Sequence, residues 1–211
     1  MVIRARTALV GASMFFAGLA CWITLGQQAP SRVTTELREI LAADQAEPPE
    51  PPGAPKDPVQ REQFYRNYWN RNFKPRYDRV IQFISQGLLS SGEDYFIAGT
   101  IVNHSPDPND NLIAHALFTA AAFRMHPQAR WASAAALDGY LESMGKPQLF
   151  GTVYGGINGL QKDRSEVLGP PMTDALRREF CVPSLAKQTE LLQLLRDGNR
   201  ARFSREKVQC E

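Results

Sequence analysis

The side chains in this sequence best suited to chemistry are His115 and Asp138. His115 sits in the small-residue run LIAHALFTAAAF, and Asp138 lies between Leu137 and Leu141 in the next helix-like segment. If the two segments form a helical hairpin, both side chains face the core, where a buried His–Asp pair can act as an acid/base dyad. The same pair would serve equally well as a hydrogen-bonded lock on helix register. A metal would need a third ligand. His104 or Asp107 could supply it, but helical spacing gives no reason for them to converge, so no metal and no cofactor are expected. His126, directly before Pro127, is placed to cap the helix that the proline opens. The run Gly151 to Gly156 (GTVYGG) can cradle an anion with its backbone amides, or simply turn the chain. There is no G-x-S-x-G elbow, phosphate-binding loop, HExxH or dinucleotide fingerprint, which leaves catalysis unassigned.

Of the three cysteines, Cys21 belongs to an apolar N-terminal run, leaving Cys181 and Cys210. In an oxidising compartment these two would form a disulfide closing a loop of about 30 residues, worth about 3–4 kcal/mol in the chain-entropy model. Otherwise they are two free thiols. A further cluster mixes Arg61, Arg66, Arg71, Lys74, Arg76 and Arg79 with Tyr65, Tyr68, Trp69 and Phe73. It reads either as an amphipathic helix with solvated arginines or as a surface for anionic headgroups or acidic partners. A net charge of +2, with 22% charged residues, is an ordinary globular composition, and no nucleic-acid partner is expected.

Helices must position these groups. Thr34 or Thr35 can cap a short helix to about Ala43, with Val33, Leu37, Ile40 and Leu41 on one face. Glu47 to Pro58 (EPPEPPGAPKDP) then reads as a polyproline II spacer of up to about 37 Å. Asp57 and Gln60 flank Pro58 as a helix start. Pro75 opens a second helix with Tyr77, Val80, Ile81, Ile84 and Leu88 on one stripe and Gly87 near its end. Ser91 and Asp94 form a capping box, Asp110 caps LIAHALFTAAAF, and Pro127 begins a helix that Gly145 closes. Thr173 and Ser184 cap two more, with Gly198 after the second. Residues 146–171 predict a small hairpin or an ordered loop. The fold class is mainly α: a single domain of about six helices, preceded by one transmembrane helix.

That transmembrane expectation rests on Ala8 to Leu25, an 18-residue apolar run about 27 Å long as a helix, close to the thickness of a bilayer core. Arg4 and Arg6 precede it, which points to an uncleaved signal anchor with its N-terminus inside. The alternatives are a cleaved secretory signal and a lipoprotein signal with Cys21 lipidated. The expected organisation is therefore an anchor at 1–30 contacting the membrane through 7–26, a short amphipathic helix at 31–46, a proline-rich linker at 47–58 and an extracytoplasmic helical domain at 59–211. The expected location is the inner, cytoplasmic membrane, or else a secreted or lipidated form.

Several blocks resemble a group of uncharacterised, mainly helical bacterial domains: DYFIAGTIVNH, AHALFTAAAF, ARWASAAALDGYLESMGKPQLFGT and DALRREFCVPSLA, with LREILAADQ ahead of them. The resemblance implies a mainly α fold and no assigned activity. If such domains carry a polar pocket, the matching positions here are Asp44, Gln45, His104, His115, Asp138, Gln148 and Thr152. Two functions are expected from the whole. One is a membrane-anchored module binding a protein or envelope component through the aromatic stretch near Tyr65–Phe73. The other is a small-ligand binder or enzyme using His115, Asp138 and the 148–154 loop, with His104, Gln148 and Thr152 as pocket residues.

Overall fold

The computed structural model describes residues 29–48, 51–154, 172–208 and 210. The expected membrane segment, Cys21 and the second half of the 146–171 region lie outside the described residues. Among the described residues no helix is long and apolar enough to cross a membrane.

The described residues form nine α-helices and no strand: α1 Arg32–Gln45, α2 Pro58–Asn72, α3 Lys74–Ser85, α4 Gly92–Asn103, α5 Pro108–Phe123, α6 Ala129–Ser143, α7 Asp174–Glu179, α8 Leu185–Arg196 and α9 Arg200–Glu206. The mainly α class stands, with more helices than the six expected. Residues 149–154 form an ordered turn, and the choice between hairpin and loop for the whole 146–171 region lies outside the described residues.

The centre of the molecule is the series α4–α5–α6, each packed on the next. Small residues let these helices approach closely. A Cβ added at Gly99 on α4 would lie 2.8 Å from the Phe118 ring on α5. Val102, Ala98, Ala114 and Phe118 are buried here with Val80 and Phe83 of α3 and Leu37 of α1. Helix α1 therefore belongs to the main core and is not a separate element ahead of it. Thr34 meets Asp94 and Asp44 meets His104, both at a sequence offset of 60, so α1 and α4 run parallel and in register.

Several helix boundaries follow the sequence. Asp57 caps α2 with Pro58 at its first turn, and Ser91 with Asp94 forms a reciprocal capping box on α4. Thr173 and Ser184 cap α7 and α8. Others differ. Ser31 caps α1, three residues before Thr34, and Thr34 turns inward to Asp94. Asp107 caps α5 beside Pro108. Asp110 is instead buried and accepts from the Tyr77 hydroxyl, and burial with that bond pushes the phenol up to about 12. Leu88 is exposed, because Gly87 turns the chain at φ 66° before it, and Phe83 and Leu89 fill the core in its place.

The proline-rich segment is not an extended stalk. Glu47 accepts from the Tyr68 hydroxyl and pairs with Arg76 at 3.2 Å, Pro51 is buried, and Gly53 turns at φ 84°. Pro48 and Pro51 line one groove with Tyr65, Tyr68 and Trp69 of α2, and the carboxylate of Glu47 ties the start of the segment to Tyr68 and Arg76.

A second packing centre surrounds the 148–154 loop. Phe150, Ala134, Met172 and Val182 form one apolar cluster, and Tyr154, Leu191 and Leu192 form another with Phe203 of α9. The C-terminal segment is tied back by the Cys181–Cys210 disulfide, as the cysteine count led us to expect.

Candidate functional site

His115 and Asp138 do not meet. Asp138 is 0% exposed and accepts four hydrogen bonds from the loop: Leu149 N at 2.6 Å, Phe150 N at 2.9 Å, Thr152 N at 2.9 Å and Thr152 Oγ1 at 2.7 Å. His115 Nδ1 instead faces Ser133, 2.9 Å from its carbonyl and 3.0 Å from its hydroxyl. The reason is helical phase. Asp138 follows Ser133 by five positions on α6, about 140° around the helix, so it cannot share the face turned to His115. Gln148 closes the same loop, donating to Val153 O at 2.9 Å and accepting from Val153 N at 3.0 Å. Asp138, Gln148 and Thr152 are thus a loop clamp with their polar atoms bonded to one another and to the backbone. The clamp continues outward. Phe150 O accepts from Gln188 Nε2 at 2.9 Å and from Arg177 Nε at 3.3 Å, and burial pulls the Arg177 guanidinium below its ordinary value.

The histidine–aspartate pair of this fold is His104 with Asp44. His104 ends α4, Asp44 lies near the end of α1, and Nδ1 sits 2.9 Å from Asp44 Oδ2. The Asp44 side chain is 2% exposed and the His104 ring 41%. Thr34, Leu37, Leu41 and Asp44 recur at helical spacing, which turns Asp44 toward α4 with the apolar face of α1. Gln45 Nε2 adds a second donor to Asp44 at 3.1 Å. An ionised carboxylate only accepts, so Nδ1 carries the hydrogen and Nε2 is left to meet something else.

His104 borders a cavity of about 510 Å³ between the ends of α1 and α4, the start of α6 and the C-terminal segment. Phe96, Phe118 and Trp131 make its apolar walls, with Gln45, Thr100, Asn103 and Gln128 supplying polar groups. Arg205 and Lys207 line the C-terminal side, and among the described residues no acidic side chain lines the cavity. The Lys207 ammonium lies 4.8 Å over the Trp131 ring, and burial holds it below its usual value. Asn103 Oδ1 and Trp131 Nε1 are buried without a hydrogen-bond partner among the described residues, an unusual condition for buried polar atoms. The volume and the mixed lining are those of a small-molecule site.

His126 does not cap α6. Its ring stacks on Phe96 at 4.0 Å between centroids, and burial lowers its pKa against the opposing pull of Glu93. Among the described residues no group of three or more His, Cys, Asp or Glu side chains could hold a metal ion. Ser204 lines the cavity but makes no described hydrogen bond to His104, so among the described residues the imidazole is oriented and no side-chain nucleophile is bonded to it. Of the site's residues, Asp44, Gln45 and His104 stand out in the sequence, whereas Asn103, Trp131, Arg205 and Lys207 carry no local signal and the pairing of His104 with Asp44 has none either. The one local signal was Asp44–Gln45 at the end of an amphipathic helix, where two polar residues follow the apolar stripe. No family model, curated protein or solved structure matches this chain.

Proposed function

We propose that this chain is a membrane-tethered, extracytoplasmic domain that binds a small aromatic anion in the cavity beside His104. One observation carries the reading: a cavity that among the described residues has two basic side chains, no acidic one and three aromatic walls holds an imidazole fixed by a buried carboxylate. Arg205 and Lys207 would meet the anionic group, and Phe96, Phe118 and Trp131 would stack on a flat body. His104 Nε2, Asn103 Oδ1 and Trp131 Nε1 would set its orientation. Without an activated nucleophile, binding is favoured over turnover.

The tether is supported by the uncharged run from Thr7 to Ser31 after Arg4 and Arg6. A structural disulfide supports the extracytoplasmic side, since such bonds persist in oxidising compartments. A membrane-impermeant alkylator applied to intact cells checks the topology. Cys181 and Cys210 should label only after reduction, and labelling after lysis without reductant would place the domain inside.

The ligand reading is tested by calorimetric titration of the full chain in phosphatidylcholine nanodiscs with benzoate, benzamide and cyclohexanecarboxylate. Benzoate should bind at least tenfold tighter than benzamide, and Lys207→Met with Arg205→Ala should remove that difference. Equal binding of acid and amide, or no saturation by benzoate at several millimolar, would refute it.

A further inference from the structure

The two most exposed large apolar side chains among the described residues are Met125, 86% exposed, and Phe123, 83% exposed. They stand two residues apart where α5 ends. Single exposed apolar side chains are ordinary, but two at one helix end form a patch. Met125 adds a second peculiarity. Its N–H returns to Ala122 O and that of His126 to Ala121 O, the paired bonds that close a helix on a left-handed residue. That residue is usually glycine, because a side chain at φ 61° is strained. Here the strained position carries a thioether and presents it to solvent.

Three contacts place this turn at the end of the bundle where the chain enters it. Gly92, the first residue of α4, lies so near Arg124 that a Cβ there would be 2.9 Å from the Arg124 carbonyl oxygen. Ala29, Pro30 and Ser31, at the start of α1, share a surface depression with Ser90, Ser91 and Glu93. Thr34 then bonds Asp94 in the first turn of α4 at 2.7 Å. Helices α1 and α5 therefore flank the same end of α4, each about 8–10 Å from its axis. Leu88, also exposed, lies in the turn leading into that end. The charges there suit a bilayer surface. Glu36 and Glu93 are held by Arg79 at 2.6 Å and Arg38 at 2.7 Å, whereas Arg32 and Arg124 make no ion pair among the described residues. Exposed apolar side chains beside unpaired arginines are the make-up of an interfacial contact.

The path of the chain names the occupant. Leu25, the last apolar residue of the N-terminal run, and Ala29 are four residues apart, at most about 14 Å of extended chain. The inference thus rests on the membrane tether proposed above. With residues 8–25 in a bilayer, this end of the bundle is held at the surface of that bilayer, and Phe123 and Met125 are within reach of it. We propose that Phe123 and Met125, with Leu88 at the same end, insert into the interface of the bilayer that holds the N-terminal run. The contact adds a second attachment to the first and fixes which end of α4 faces the lipid. The start of α4 lies at the surface, and its His104 end stands up to about 18 Å farther out.

The test is nitroxide labelling of the full chain in nanodiscs of phosphatidylcholine with one-quarter phosphatidylglycerol. It is read by collision with oxygen, which partitions into lipid, and with a water-soluble nickel chelate. Cys181 and Cys210 stay oxidised. A label on Cys21 checks the tether itself and should favour oxygen at least tenfold. With Cys21→Ser, a label at Phe123→Cys should also favour oxygen, at least threefold, whereas one at Met144→Cys should favour the chelate. Met144 is exposed at the opposite end, since Gly139 of α6 lies against Asn111 near the start of α5. A label at Leu88→Cys reports on the same surface without altering the α5 turn. Its preference for oxygen should fall at least twofold when Phe123→Ser and Met125→Gly are combined. Glycine suits the left-handed position, so that pair removes the contact and keeps the helix end. If Cys21 favours oxygen while Phe123→Cys favours the chelate, or the Leu88→Cys label ignores the paired substitution, the tether stands and this contact falls. If Cys21 favours the chelate, both fall. A label at position 123 shielded from both agents, with spin–spin broadening that grows with the number of chains per disc, would give the patch to a second copy and overturn the lipid contact.

Discussion

The parallel seam between α1 and α4 ends differently at its two ends. At one end Asp94 is 0% exposed and accepts from Thr34 Oγ1 at 2.7 Å, Ser91 N at 2.9 Å, Ser90 N at 3.0 Å and Ser90 Oγ at 3.1 Å. Burial alone would raise this carboxyl, yet the bonds from Thr34, Ser91 and Ser90 outweigh it and hold the group below its ordinary value. At the other end Asp44 has only the His104 imidazole and the Gln45 amide, and the imidazole opens onto a cavity. Asp138 in the loop clamp resembles Asp94, not Asp44. A buried carboxylate saturated by backbone donors is finished architecture, because nothing can be added without breaking a bond already made. A buried carboxylate bound to a half-exposed imidazole has passed its orientation on to a group that can still act.

The sharpest way to break this contrast is to remove each carboxylate in turn. Asp94→Ala loses half of the α4 capping box and leaves the buried Thr34 hydroxyl, with the Ser90 and Ser91 amides, without its acceptor. It should cost about 3 kcal/mol in urea unfolding. Asp138→Ala should cost a similar amount, about 3–4 kcal/mol, and expose the 148–154 loop to proteolysis. A loss below about 1 kcal/mol from either variant would erase the distinction between closed and open sites.

Of similar size is the effect of the disulfide. Cys210→Ser frees the C-terminal segment at the open end and leaves the Asp94 end untouched. The chain-entropy model gives about 3–4 kcal/mol for a loop of this length. Benzoate binding should fall with it, since Arg205 and Lys207 lose their tie to the cavity. Retained binding in the serine variant would place the anion elsewhere.

Acid should act in two steps. His126 has a pKa lowered by burial from its ordinary 6.5, so the unfolded chain takes up that proton first and stability falls as pH drops below 6.5. Asp94 is depressed from 3.8, so its contribution is complete above that value and is lost as pH falls through its lower folded pKa. Glu206, held at about 2 by Lys187 and Arg202, adds to the second step from the surface. In urea melts from pH 8 to pH 2, His126→Phe should flatten the first step alone. An unchanged profile would mean that burial at the Phe96 stack does not govern this histidine.

The smallest effect on stability and the most telling for function belongs to Asp44→Asn. The half-open pair should cost less than about 1 kcal/mol, while benzoate binding weakens severalfold because the His104 ring loses its anchor. A large loss of stability with intact binding would make the open end as structural as the closed one.

Much of the fold is legible in the chain. Asp57–Pro58, Ser91 with Asp94, Thr173 and Ser184 are local signals, and each caps its helix because the donor and acceptor lie within one turn. Gly87, Gly145 and Gly198 stop helices with positive φ for an equally local reason. The cap of α5 was misplaced: Asp107 beside Pro108 caps the helix, and Asp110, the residue expected there, turns inward to Tyr77. The short helix α9 was not legible, since its seven residues are polar and basic. It is held by Asn199 at its start, by ion pairs of Glu206 with Lys187 and Arg202, and by Phe203 against Tyr154.

By itself, then, the sequence determined a mainly helical chain, most of its helix ends, and which two cysteines could pair. Capping and helix periodicity act over a few residues, and two cysteines outside the N-terminal run leave one pairing. Only the tertiary structure decided which histidine meets which aspartate. His104 and Asp44 are 60 residues apart, and their meeting depends on α1 lying parallel to α4. His115 and Asp138 are closer in the chain but out of phase on their helices. Which contact forms is set by the angle at which whole helices pack, and no single residue carries that angle.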